Sequence, residues 1–170
     1  MNIKFKEGNK MITIKKSPTA DSRTATAPVS KQQLLESSKQ HIVDVAKAMD
    51  WFSMKLSMAA RNHDHTKVSG INSFFDSFER DQQNRKEGNP LTFMQEEWFL
   101  NHVRTERHHL RDFCPDDVNL LDVLERVADI TMAGMARSGS IYADTLDPVI
   151  LTRAYQNTIK LLKENITVED

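Results

Sequence analysis

His63 and Asp64 stand side by side in the stretch Arg61-Asn62-His63-Asp64-His65-Thr66-Lys67, with a lysine three residues after the aspartate. An imidazole nitrogen and a carboxylate oxygen are both ligands for divalent first-row metals, and an ammonium group can neutralise a phosphate oxygen. The stretch therefore reads as a place to hold a divalent ion beside a phosphate. An adjacent His-Asp pair is common by chance, and a helix end carrying a surface histidine accounts for the pair alone. The partners supplied by the rest of the chain are what give it weight.

His102, His108 and His109 fall on or near one predicted helix. His102 and His109 are two turns apart, ~10 Å along a straight helix, which is too far for both to bind one ion. That spacing points to two metals, or to one metal plus a phosphate. Arg104, Arg107 and Arg111 add guanidinium groups suited to bidentate phosphate contacts, and Lys67, Arg104 and Arg107 are the candidate phosphate ligands. Without the His-Asp pair, the same segment reads as a solvated, charged helix face.

Asp122, Glu125 and Asp129 form an acidic ridge at helical spacing. Asp129 sits among Val127, Ala128, Ile130 and Met132, where a lone carboxylate is costly unless paired or metal-bound, so it is the expected distal ligand. Glu125 can orient a histidine or act as a base; the plainer reading pairs Asp122 and Glu125 with Arg126 and other cations. His41 is a further candidate ligand on an apolar face, where a hydrogen-bonded core histidine is equally natural. In one straight helix it stands about 33 Å from His63, so its membership requires a reversal near Met49-Asp50-Trp51, with Asp50 as a new N-cap. The candidate metal ligands are His63, Asp64 and Asp129, with His41 joining them only if that reversal occurs. The expected catalytic residues are Lys67, His102, His108, His109 and Glu125. His65 points away from His63 and is left out.

These residues need helices to position them. Residues 1–16 alternate apolar and polar around Glu7-Gly8-Asn9-Lys10, the pattern of a short N-terminal β-hairpin. Residues 17–30 are small, polar and proline-flanked, a flexible linker, and 31–166 form the helical domain. Ser30 and Gln33 make a capping-box pattern. Leu34, His41, Val45, Ala48, Phe52, Leu56 and Ala59 then mark one face of a helix that Val68-Ser69-Gly70 should end. A short helix is expected over 71–78, and a polar loop, a candidate lid, over 81–90. Further helices are expected over 92–110, 118–137 and 148–164, the last with Ile150, Leu151, Tyr155, Ile159 and Leu162 facing inward. The fold class is all-α.

The 170 residues suffice for one domain, and a net charge of −1 argues against a nucleic-acid surface. The single cysteine, Cys114, excludes an internal disulfide. No apolar run approaches a membrane span, and no apolar segment follows the N-terminal lysines as a signal would require. A cytoplasmic protein is expected, without a membrane partner and open to homo-oligomerisation.

His41, His63-Asp64 and Asp129, in that order, resemble the H…HD…D signature of the HD-superfamily metal-dependent phosphohydrolases. His63-Asp64-x-x-Lys67 also resembles an element of the HD-GYP phosphodiesterases, with His102 and His108-His109 similar to their later single and paired histidines. The fuller pattern includes His41-Ile42-x-x-Val45 and Asp122-Val123-Leu124-Glu125 followed by Asp129. It is similar to that of small HD-like proteins of bacteria and phages, and covers residues 38–165. Thr66 stands where that element has glycine, and His-His-Leu-Arg stands where Pro-Glu would follow the paired histidines. The spacing from His102 to His108-His109 is much shorter than in HD-GYP domains, so a cyclic-dinucleotide substrate does not carry over. The resemblance implies an HD-like helical bundle binding one or two divalent ions (Mn, Fe, Co, Zn or Mg). It implies hydrolysis of a nucleotide or related small phosphate ester. The rival readings are a non-catalytic HD-like module that binds a nucleotide or a partner, and a plain helical bundle with surface histidines.

Overall fold

The computed structural model describes residues 12–17, 19 and 28–170. Over these the protein is all-α with one small sheet. The order is β1 (Ile12–Lys15), α1 (Lys31–Asn62), α2 (His65–Ser69), α3 (Ile71–Glu87), α4 (Glu97–Thr105), α5 (Leu120–Ser138), α6 (Pro148–Glu164) and β2 (Ile166–Glu169). A 3-10 turn over Phe93–Gln95 leads into α4. The chain divides into two compact units, one containing β1, α1 up to Lys55 and the segment from Thr158 onward, the other Leu56–Asn157. No described helix is long and apolar enough to cross a membrane.

In the first unit β1 pairs in parallel with β2, Ile12 opposite Ile166 and Lys15 opposite Glu169. β-branched residues dominate both strands, as a pleated surface favours. The first arm and turn of the predicted hairpin lie outside the described residues, as does most of the linker. The strand found beside Ile12–Lys15 comes from the C-terminal end, to which the sequence reading gave no strand. Helix α1 opens with the expected capping box. Ser30 N–H donates to Gln33 Oε1 at 2.9 Å, and Gln33 N–H donates to Ser30 Oγ at 3.2 Å. The helix then runs unbroken through Met49-Asp50-Trp51, so the reversal that His41 requires does not occur, and His41 is exposed. The buried positions of α1 are Ser37 and Trp51, whereas Leu34 and Val45 are exposed. Apolar spacing selects a face, but only a covering neighbour buries it.

The second unit contains the His/Asp clusters. Its first break comes at His63-Asp64, six residues before Gly70, because Asp64 takes a left-handed conformation with φ 54° and ψ 24°. No other described non-glycine residue has positive φ. Aspartate tolerates this region better than most side chains, and such local strain persists only where surrounding contacts enforce it. Helix α3 continues to Glu87, so most of the expected polar loop over 81–90 is helical and no long lid remains; Gly88, at φ 73°, caps it. Helix α4 ends at Thr105 rather than Leu110, because Glu106 turns to an extended conformation with ψ 102°. Turns carry the chain through His109 to Phe113.

That turn segment is held over a core of Leu110, Val118 and Ala154, with Val123 and Ile150 packed against it. Asn157 on α6 donates to the carbonyls of Asp116 and Val118, at 3.0 and 2.9 Å. On α6, Ala154 is buried and Tyr155 and Ile159 are exposed, unlike the expected inward set. Helix α5 starts at Asn119 with a full capping box: Asn119 accepts from Leu121 N–H, and Asp122 accepts from Asn119 N–H at 2.9 Å.

The loop after α5 is fastened by Asp144, which accepts from Arg126 Nε at 2.9 Å and Nη2 at 2.8 Å. This pairing with Arg126 holds the Asp144 carboxyl below its ordinary value, against the opposing effect of burial. Asp144→Asn leaves the buried Arg126 without its counter-charge, and should cost about 2 kcal/mol at neutral pH. A group with a depressed folded-state pKa contributes stability above its unfolded value near 4, and loses it as pH falls through the folded value. The gap between wild type and variant, measured by urea unfolding, should therefore be full at pH 7 and close below pH 4.

Candidate metal centre

Two histidine–carboxylate clusters meet at Asp64. The first joins His63, Asp64 and His108, and the second joins Asp64, His102 and His109. The turn after α1 presents His63 and the left-handed Asp64, α4 presents His102, and the turn after α4 presents His108 and His109.

In the first cluster His63 Nε2 lies 3.5 Å from Asp64 Oδ2 and 3.6 Å from Asp129 Oδ1. His108 Nε2 lies 3.6 Å from Asp64 Oδ1 and 3.9 Å from Asp129 Oδ2. Asp129 therefore borders this cluster from α5, as a fourth donor. Glu125, one turn earlier, reaches both histidines from behind: His63 Nδ1 donates to its Oε1 at 3.0 Å, and His108 Nδ1 comes within 3.2 Å. A carboxylate only accepts, so the proton of His63 is assigned to Nδ1, and Nε2 turns a lone pair toward the carboxylates. Burial alone would raise the Glu125 carboxyl, but its interactions with His108 and His63 more than offset this and lower it.

His108 is 1% exposed, yet its ring nitrogens and Asp64 Oδ1 make no properly directed hydrogen bond. Buried polar atoms left without partners carry a desolvation cost of about 1–3 kcal/mol each. Here an imidazole nitrogen and a carboxylate oxygen face one another at a distance too long for a hydrogen bond, the arrangement a cation between them satisfies. The donor set of His and Asp fits a divalent transition metal.

The second cluster is set by a chain of hydrogen bonds. Thr66 Oγ1 donates to Glu106 Oε1 at 2.6 Å, so it must accept from Nδ1–H of His102, also at 2.6 Å. Thr66 N–H donates to the same Glu106 oxygen at 2.9 Å. His102 Nε2 then faces His109 Nε2 at 2.9 Å and Asp64 Oδ1 at 3.5 Å. Asp112 lies 3.4 Å from His109 Nδ1 and favours the proton there. Two imidazole lone pairs at this separation repel unless a proton or a metal lies beside them. Burial first, then the neighbouring His109 and Lys67, push His102 down to about 4, and burial with His108 also lowers His109. Both rings are therefore neutral near pH 7, the state a metal ligand needs. Trp98 stacks on His102 with centroids 5.0 Å apart, and Phe74 stacks on Trp98 at 4.2 Å. These rings fix the orientation of His102 from its face.

The expectation that His102 and His109 stand ~10 Å apart assumed one straight helix. The break at Glu106 folds the chain back and brings the two rings together. Glu106 itself, 4% exposed, was missed by the sequence reading; among Arg104, Arg107 and the histidines it reads as one more charge on a solvated face. Lys67 pairs with Asp64 Oδ2. Competing influences act on Asp64: burial raises its carboxyl, and Lys67, His63 and His108 together bring it below the ordinary value. Arg107 is not free to meet a phosphate. Its Nε and Nη2 each donate to Asp122 at 2.8 Å, and Nη1 reaches Asp117 at 3.1 Å. Arg104 is exposed on α4, Arg111 lies 3.4 Å from Asp144, and His41 is not brought into either cluster. Comparison with protein-family models, with curated proteins and with solved structures found no match to this chain.

Proposed function

We propose that the protein is a metal-dependent phosphohydrolase of the HD type, acting on a small phosphate ester, with nucleotides in the candidate class. The observation that supports this most is the sharing of Asp64 between two histidine clusters, with Asp129 at the border of the first. One or two ions of Mn, Fe, Co or Zn suit this nitrogen-rich set better than Mg, which prefers oxygen donors. When bound, such an ion lowers the pKa of water toward neutrality and offsets charge on the phosphoryl oxygens.

The chain's own residues do the rest. His63, His108 and Asp129 hold one side of Asp64, and His102 and His109 hold the other. Glu125 and the Thr66–Glu106 pair fix which imidazole nitrogen carries the proton. Lys67, beside Asp64 and 39% exposed, is the cation placed to neutralise a phosphate oxygen. In the reaction a water oxygen bonds to phosphorus, the ester P–O bond breaks, and the departing oxygen takes up a proton. Bulk water supplies that proton, because the neutral His109 serves as a ligand in the second cluster. Arg107 has no part in this reading.

A screen of phosphomonoesters and phosphodiesters with Mn²⁺, Fe²⁺, Co²⁺ and Zn²⁺ tests the proposal. Turnover that depends on metal and on Asp64 is the expected result; stoichiometric binding without turnover would move the reading to a non-catalytic binding module. Glu125→Gln should weaken metal binding by about 10- to 100-fold, because an amide lacks the negative charge that raises the basicity of the histidine ligands. Calorimetric titration with Mn²⁺ reads this directly.

A further inference from the structure

A groove of about 510 Å³ adjoins the first cluster. One wall comes from the end of α1 and the residue just after it, where Leu56, Ala59, Ala60 and His63 recur at three- and four-residue spacing. The other comes from α5, where Leu124 and Glu125, Ala128 and Asp129, then Met132 do the same. The faces that present His63 and Asp129 are thus the faces that line the groove.

Its chemistry is one-sided. The only polar side chains among its lining residues are His63, Glu125 and Asp129, all belonging to the cluster. It has no lysine or arginine for further phosphates, and no serine, threonine, asparagine or glutamine for sugar hydroxyls or the edge of a base. No phenylalanine, tyrosine or tryptophan is present for a base to stack on. The alanines keep the groove open, while Leu124 and Met132, 50% and 67% exposed, offer apolar surface. By contrast, the cavity on the Trp98 side of His102 is lined by Ser73, Asp76, Arg80, Glu96 and Asn101.

We infer that the phosphate ester held at the first cluster carries an apolar organic group, an alkyl chain or non-polar ring, and that this group lies in the groove. The inference rests on the metal-centre reading and narrows it: the substrate is a monophosphate of an apolar alcohol rather than a nucleotide. Burial of one methylene is worth about a fourfold gain in affinity when complete, and about threefold in an open groove.

The test is calorimetric titration of the Mn²⁺-loaded full chain with methyl-, butyl- and octylphosphonate, and with a nucleoside monophosphate. Affinity should rise about threefold per methylene from methyl to butyl, and octylphosphonate should bind more tightly than the nucleotide. Met132→Glu, at an exposed position, and Ala128→Phe, which fills the groove, should each flatten the series while leaving Mn²⁺ stoichiometry unchanged. A flat series at full Mn²⁺ occupancy overturns the inference and leaves the metal centre standing, as does tighter binding of the nucleotide. Failure to bind Mn²⁺ overturns the metal centre and takes the inference with it. If Met132→Glu turns a dimer into a monomer without changing the series, the groove is a contact between copies and the inference is wrong.

Discussion

Asp64→Asn should strip the protein of metal at both clusters, whereas His109→Ala should strip only one. Asp64 is common to both groups, while His109 belongs to the second alone, and the first keeps His63, His108 and Asp129. For a chain loaded with two ions, elemental analysis of untagged protein reads the difference as a fall to none, against a fall to one. Asparagine is the informative replacement, because it tolerates the left-handed backbone of position 64 about as well as aspartate. Turnover in the same variant should fall by more than about a hundredfold, a change of roughly 3 kcal/mol in barrier height. Retention of both ions by Asp64→Asn would refute the shared-ligand arrangement.

The second large effect concerns stability. Asp122→Ala should destabilise the fold by about 2–3 kcal/mol, since it breaks a bidentate ion pair whose arginine is partly exposed and half of a capping box in one change. The Asp122 side chain is 7% exposed, holds Arg107 through two 2.8 Å hydrogen bonds, and accepts from Asn119 N–H at the start of α5. Arg107→Ala should cost a comparable amount by leaving that carboxylate without its partner. Urea unfolding of both variants and the double variant gives the coupling. If Arg107 served instead as a phosphate ligand, Arg107→Ala would raise KM and leave the unfolding midpoint in place.

The parts of the site that could be read from the sequence are those fixed by short-range geometry. His63 and Asp64 are covalent neighbours, and Glu125 and Asp129 are one helical turn apart, so no tertiary knowledge is needed to put each pair in reach. The ends of α5 and α6 were equally legible, with Gly139 left-handed just after one and Pro148 at the start of the other. The second cluster was not. Its rings meet because Glu106 abandons the helix for Thr66, a partner 40 residues away. Arg107 shows the same limit: its guanidinium announces a bidentate partner, but a carboxylate and a phosphate oxygen satisfy it alike. The exposure of Val45 and Ile159 has the same origin, for periodicity cannot say which stripe finds a cover.

The pairing of β1 with β2 sets an order on synthesis. Ile12 emerges roughly 150 residues before its partner Ile166, so the closure is distant in sequence. On the ribosome α1 to α6 can coil in turn while Ile12–Lys15 waits, and the ladder is completed only after Glu169 has left the exit tunnel. Until then β1 is an unsatisfied edge of alternating isoleucine and threonine, a template for pairing with a neighbouring nascent chain. Proteolytic nicking just before Ile166 would recreate that edge in the finished protein. Its first sign should be aggregation, while the ligands around Asp64 are still in place.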